Sequence, residues 1–220
     1  MKPSSSHPRR PARPAPAPRT YRQETRARQT RANTDGIVRA AVALVRRTPV
    51  VADITLEDVA RESGLTVRTI LRRFGSRDGV LEAAFAHIKE DFKSARVPTT
   101  PGDVRAAIAS LIDQYEHIGD LNIRALEQEQ QLPLLHAALN EGRRHHREWV
   151  RQIFAPNLAG FSAKDRERRV TSLYAATDVY LWKLLRRDLN HDRRVLEDTF
   201  HHLVQGALAP PRARPPKGET

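Results

Sequence analysis

The sequence predicts an all-α protein: an N-terminal three-helix head containing a helix-turn-helix, joined to a C-terminal helical bundle, about nine helices in total. Three observations carry this. Glycine is sparse, 10 in 220 residues, prolines gather at the two ends, and Ala, Leu, Arg and Glu dominate the middle, a composition that favours helix. Apolar residues between the ends recur three and four apart, the spacing of one helical face. The stretch Ile54 to Leu81, ITLEDVARESGLTVRTILRRFGSRDGVL, reads as two short helices across a tight turn and the start of a third.

In chain order, residues 1–28 form a Pro-, Ser-, Ala- and Arg-rich arm without periodicity, predicted to be disordered because it cannot bury enough apolar surface to offset its ordering entropy. Ile37, Ala41, Leu44 and Val45 line one face of a first helix over about 31–47, which Thr48-Pro49 stops. Thr55 caps a second helix, 56–63, and Gly64 supplies the backbone conformation that ends it. Thr66 caps a third, 67–74. Ser76 caps a fourth, about 77–96, with Val80, Leu81, Ala84, Phe85, Ile88 and Phe92 inward, which joins head to body. The head domain therefore spans 29–96.

Val97 to Gly102, VPTTPG, cannot continue a helix and marks the domain division. The second domain, 97–208, reads as helices at about 103–118, 120–131, 133–155, 162–188 and 191–207. Pro133 suits a first helical position and Ser162 an N-cap. Residues 209–220 are again Pro-rich and are predicted to be a disordered tail.

Charge is unevenly placed. The formal total is +12, and residues 1–31 hold nine Lys and Arg against Glu24 alone. A basic segment directly before a helix-turn-helix points to a polyanion, double-stranded DNA. The absence of cysteine excludes disulfides and thiol chemistry. No apolar run approaches a membrane span and the N-terminus lacks the apolar segment of a secretory signal, so a cytoplasmic protein without membrane contact is expected. No glycine-rich phosphate loop or nucleophile elbow is present. His136, His145, His146, His201 and His202 contain no pair four apart on one helix, and Glu127 and Glu129 point to different sides. Neither a metal, a cofactor nor a catalytic centre is expected.

Within the motif, burial of Ile70 and Phe74 turns Val67, Arg68, Leu71, Arg72 and Arg73 outward. Arg68 and Arg72 are candidates for guanine edges, since one guanidinium can bond two acceptors. Thr55, Thr66, Thr69, Arg73 and Arg77 are candidates for phosphate contacts, which set register and affinity. Arg26, Arg28 and Arg31 would enter a minor groove or follow the backbone.

Ile37, Ala40-Ala41, Thr55, Val59-Ala60, Gly64-Leu65-Thr66, Thr69-Ile70, Phe74, Ser76-Arg77-Asp78 and Leu81 together resemble the DNA-binding domain of TetR-family transcriptional regulators over about residues 30–85. Leu71 stands where that family commonly has Tyr, and Arg73 where it has His or Tyr. Leu71 offers apolar contact, for instance to a thymine methyl, and Arg73 a phosphate contact in its place. Beyond residue 100 the resemblance rests on helix count and lengths and on Trp182 to Asp188. It implies a homodimer paired through the helices at about 162–188 and 192–207, and a small-molecule effector held among the helices at 103–118, 120–131, 133–155 and 162–188. Candidate lining residues are Tyr115, Leu126, Trp149, Tyr174 and Trp182, although aromatics at helical spacing also serve as plain core.

The expected function is a sequence-specific regulator, a repressor that binds a palindromic operator as a dimer and is released by a ligand. Two alternatives remain open: a nonspecific architectural DNA binder using arm and head together, and an all-α ligand-binding enzyme with an incidental helix-turn-helix.

Overall fold

The computed structural model describes residues 19–95 and 97–210 and, within these, the side chains of all but residues 19–22, 25 and 92–95. Every regular element among the described residues is helical. The head contains α1 (Arg19–Arg47), a 3-10 turn (Val51–Asp53), α2 (Leu56–Ser63), α3 (Val67–Phe74) and α4 (Arg77–Ala95). The body contains α5 (Val104–Glu127), α6 (Pro133–Ile153), the short α7 (Ala155–Leu158), α8 (Ala163–Ala176), α9 (Val179–Lys183), a π turn (Leu184–Asp188) and α10 (Arg193–Leu208). No described helix is long and apolar enough to cross a membrane.

The caps expected from sequence set the helix starts. Thr55 Oγ1 accepts Asp58 N–H at 3.1 Å while Asp58 Oδ2 accepts Thr55 N–H at 3.0 Å, a reciprocal capping box. Thr66 Oγ1 accepts Thr69 N–H, Ser76 Oγ accepts Gly79 N–H, and Ser162 Oγ accepts Asp165 N–H. Pro133 takes the first turn of α6.

Two apolar clusters hold the protein together. In the head, Ile37, Ala41 and Val45 of α1 meet Val59, Ile70, Val80 and Leu81, all buried. Leu135 of α6 is buried in the same cluster, and Leu121 and Ala125 of α5 pack on it, so the body helices complete the head's core. In the body, Ile108, Leu111, Ile112, Val150, Phe154, Trp182 and Phe200 form the second cluster. Full burial of one such side chain contributes about 1.5–3 kcal/mol.

Three expectations are corrected. First, α1 begins at Arg19, not near 31, so residues 19–28 are helical. After Pro18 the sequence has neither Pro nor Gly until Gly36 and carries five Arg, two Gln and two Ala, so the packed half of α1 propagates outward at little cost. The rest of the arm (1–18), the tail over 211–220 and the inward side chain expected of Phe92 lie outside the described residues.

Second, α5 runs through Gly119 where two helices were expected. A Cβ at 119 would come within 2.7 Å of Trp182 Cε3 and closer still to its Cζ3 and Cη2. Gly119 is there to admit the indole, and the helix ends instead at Gln128.

Third, the single helix expected over 162–188 is interrupted at Thr177-Asp178. Thr177 Oγ1 donates to Leu173 O at 2.7 Å, its carbonyl accepts Tyr115 Oη–H at 2.8 Å, and Asp178 Oδ1 caps α9 through Tyr180 N–H at 3.0 Å. Lys164, Arg166, Arg168, Thr171 and Ser172 are exposed along α8, so its outer face is polar. The exposed large hydrophobic side chains of this region are Tyr180, Leu184, Leu189, Val195 and Leu203, beyond α8.

Candidate nucleic-acid interface and ligand cavity

Gly64 at φ 68° lies in the left-handed region and ends α2, and Thr66 in extended conformation opens α3. With Ile70 fully buried and Phe74 half-buried, the opposite face of α3 is turned to solvent. Arg68, Leu71, Arg72 and Arg73 are all exposed there, Leu71 by 39%. None of the three arginines enters an ion pair or hydrogen bond among the described residues. Val67 and Thr69 are half-buried, and Arg28 and Arg31 are exposed on the outer half of α1.

The remaining expected phosphate ligands also make bonds within the head. Thr55 and Thr66 use their hydroxyls as caps, and Thr66 Oγ1 lies 3.0 Å from Thr69 Oγ1. The Thr55 hydroxyl bond, with the Thr55 backbone bond, holds the Asp58 carboxyl below the ordinary aspartate range. Arg77 is built into the head: its Nε donates to Ile54 O at 2.6 Å and its Nη2 to Val51 O and Ala52 O at 3.0 and 2.8 Å. Those carbonyls belong to the 3-10 turn and the residue after it, so Arg77 fixes the approach to α2. Sequence spacing placed Arg77 at a helix start but could not show that three backbone carbonyls faced it.

A cavity of about 570 Å³ lies where head and body meet, walled by α1, α4, α5, α6, α8 and α9. Tyr115, Leu126 and Tyr174 line it; Trp149 and Trp182 do not. Trp182 is fully buried against Gly119 and donates Nε1–H to Glu116 Oε1 at 3.2 Å. Trp149 stacks on His146, ring centroids 5.4 Å apart.

Gln114 and Tyr115 of α5, Tyr174 of α8, and Asp178 and Tyr180 at the start of α9 line the cavity, as do Glu82, Phe85 and Lys89 of α4, Leu121 of α5 and Leu134 of α6. Burial raises the Asp178 carboxyl above its ordinary value, opposed by the Tyr180 backbone bond and the field of Arg143. Tyr174 is raised as well, by burial first and then by the charge of Asp178. Asp178 was not among the expected site residues because one continuous helix was expected across it. The usable signal was Thr177-Asp178 ahead of Val-Tyr-Leu-Trp, a cap residue before an apolar run.

The cavity also touches the approach to the motif. Val45, Thr48, Pro49 and Val51 line it beside Arg124, Ala125 and Leu126. Arg124 Nη2 donates to Arg46 O at 2.6 Å, and Gln128 Nε2 donates to Pro49 O at 2.8 Å. On the other side of the interface, Lys89 of α4 pairs with Glu141 of α6. No group of three or more His, Cys, Asp or Glu able to hold a metal occurs among the described residues.

No family model matches the chain, and no curated protein matches it.

Proposed function

We propose that the protein is a sequence-specific, DNA-binding transcriptional regulator of the TetR type, a cytoplasmic repressor that pairs as a homodimer on a palindromic operator and is released by a small ligand. The observation that carries the reading is the exposed face of α3. A short helix fixed by the buried Ile70 behind a left-handed turn presents Arg68, Leu71 and Arg72 outward, the form in which a helix-turn-helix enters the major groove. Arg73, Arg28 and Arg31 supply phosphate contacts alongside.

A head this small buries too little DNA for strong specificity alone, which favours two-fold pairing. Leu184 and Leu189, 45% and 53% exposed, with Val195 and Leu203 nearby in sequence, support a partner surface on the π turn and α10. The cavity at the junction of head and body supports ligand control, because an occupant there would bear on α1, α4 and the turn before α2 together.

Selection of bound sites from random DNA tests the reading. A recovered palindrome, lost in the Arg68→Ala/Arg72→Ala variant while helicity and melting are unchanged, is the expected result. The exposed basic half of α1 favours a second reading, a nonspecific architectural binder. Uniform footprints with one salt slope on all sequences would establish that reading in place of the first.

A further inference from the structure

We propose that the cavity between head and body takes an elongated organic cation, with its charged end against Asp178 and its apolar body running toward Phe85 and Leu121. The proposal rests on the reading of this cavity as the effector site.

The charges around the cavity decide the sign. Its lining carries the acids Glu82, Glu141 and Asp178 and the bases Lys89, Arg124 and Arg143. Two of the three bases are held in ion pairs and the third on a backbone carbonyl. Lys89 pairs with Glu141. Arg143 grips Glu129 with both Nη atoms at 2.6 Å. Arg124 donates to Arg46 O. Of the lining histidines, His145 is exposed and His146 shares a hydrogen bond with Thr177 Oγ1. Asp178 enters no ion pair among the described residues and receives the Tyr180 backbone N–H.

An anionic ligand at this end would meet the half-buried Asp178 carboxylate, which no ion pair balances, a costly arrangement. A cation removes that cost, since an opposite charge a few ångströms away favours the ionised carboxylate. Tyr115 and Tyr180 also line this end, and aromatic faces attract cations, as the Tyr174 ring beside them does with the Arg147 guanidinium 5.6 Å from its centroid. The cavity's volume of about 570 Å³ suits a ligand of drug-like size.

Geometry explains why Asp178 is available. The helix break that turns Thr177 O toward Tyr115 Oη makes Asp178 the first residue of a new helix start. An uninterrupted α8 would not need a capping carboxylate at this wall.

Calorimetric titration of the full chain with decyltrimethylammonium, decanoate and decanol, ligands with the same alkyl chain and different charge, tests the proposal. The cation is expected to bind once per chain and about tenfold or more tighter than decanol, with decanoate weakest. Asp178→Asn keeps the cap of α9, since Asn caps as well as Asp. It is expected to abolish the preference for the cation while decanol binding and melting stay as they were. Decanoate binding as tightly as the cation, or an unchanged preference in Asp178→Asn, overturns the proposal alone. Binding by none of the three overturns it together with the effector-site reading, whereas operator binding is measured separately and is unaffected by either result.

Discussion

Gln128 Oε1, at the end of α5, accepts the backbone N–H of Val51 at 2.8 Å, in the turn that leads into α2. The same side chain donates from Nε2 to Pro49 O at 2.8 Å. Residues 77 and 79 positions apart in sequence are thereby clasped by a single amide, and Val51 is buried. One end of the cavity is in this way tied to the entry of the DNA-facing motif.

Gln128→Ala leaves the Val51 N–H without its acceptor in a buried place. A loss of about 1–3 kcal/mol in unfolding free energy is expected from urea denaturation, the usual cost of such an orphaned donor. Hydrogen exchange should rise at Val51 and less at Ile70, which is held by apolar packing. Equal rises at both would show that the clasp does not act locally.

Gly119 and Trp182 are fitted to each other across α5 and α9. Gly119→Ala gains helix propensity yet forces its Cβ into a fully buried indole. A net loss of about 1–3 kcal/mol is expected, as for overpacked cores. Trp182→Phe removes part of the ring in the way, so the double variant should be more stable than the sum of the two single losses predicts. Strict additivity would show that the two positions do not share this space.

Glu116 sets a pH dependence. Burial alone would raise its carboxyl, but bonds from Arg186 Nε at 2.7 Å and Trp182 Nε1 at 3.2 Å, with the charges of Arg186 and Arg187, outweigh burial and hold it below the ordinary glutamate value. A carboxyl depressed in the folded state contributes stability above its unfolded pKa, about 4.3, and loses it as pH falls through the lower folded value. Urea midpoints measured from neutral pH downward should therefore fall less steeply in Glu116→Gln than in the parent. Parallel profiles would remove Glu116 from the acid limb.

The head was legible because its signals are local. Thr55, Gly64, Thr66 and Ser76 act within four residues of themselves, and Ile70 and Phe74 mark their own face by spacing. What escaped were features created by distant partners. Gly119 reads as a breaker until Trp182 is placed beside it. Thr177-Asp178 reads as helix until Tyr115 claims the Thr177 carbonyl. Of the five expected cavity residues, Tyr115, Leu126 and Tyr174 reach the cavity, whereas Trp149 and Trp182 are core. Apolar periodicity tells which way a residue faces, but it does not distinguish a packed interior from a hollow one.

Arg73 and Arg77 lie four apart on either side of the α3–α4 turn, and sequence gave them the same task. Their surroundings separate them. Arg73 is exposed and makes no hydrogen bond among the described residues, while Arg77 binds the carbonyls of Val51, Ala52 and Ile54. Arg77→Ala should cost about 1.5–3 kcal/mol of stability, because charged donors are lost from three backbone carbonyls. Arg73→Ala should stay within about 0.5 kcal/mol, as an exposed substitution. On DNA the order reverses in kind. Arg73→Ala is expected to weaken binding to all sequences and lower the salt slope by about 0.9, the signature of one phosphate contact. A salt slope unchanged by Arg73→Ala would remove it from the phosphate contacts, and a fully stable Arg77→Ala would return Arg77 to the candidates.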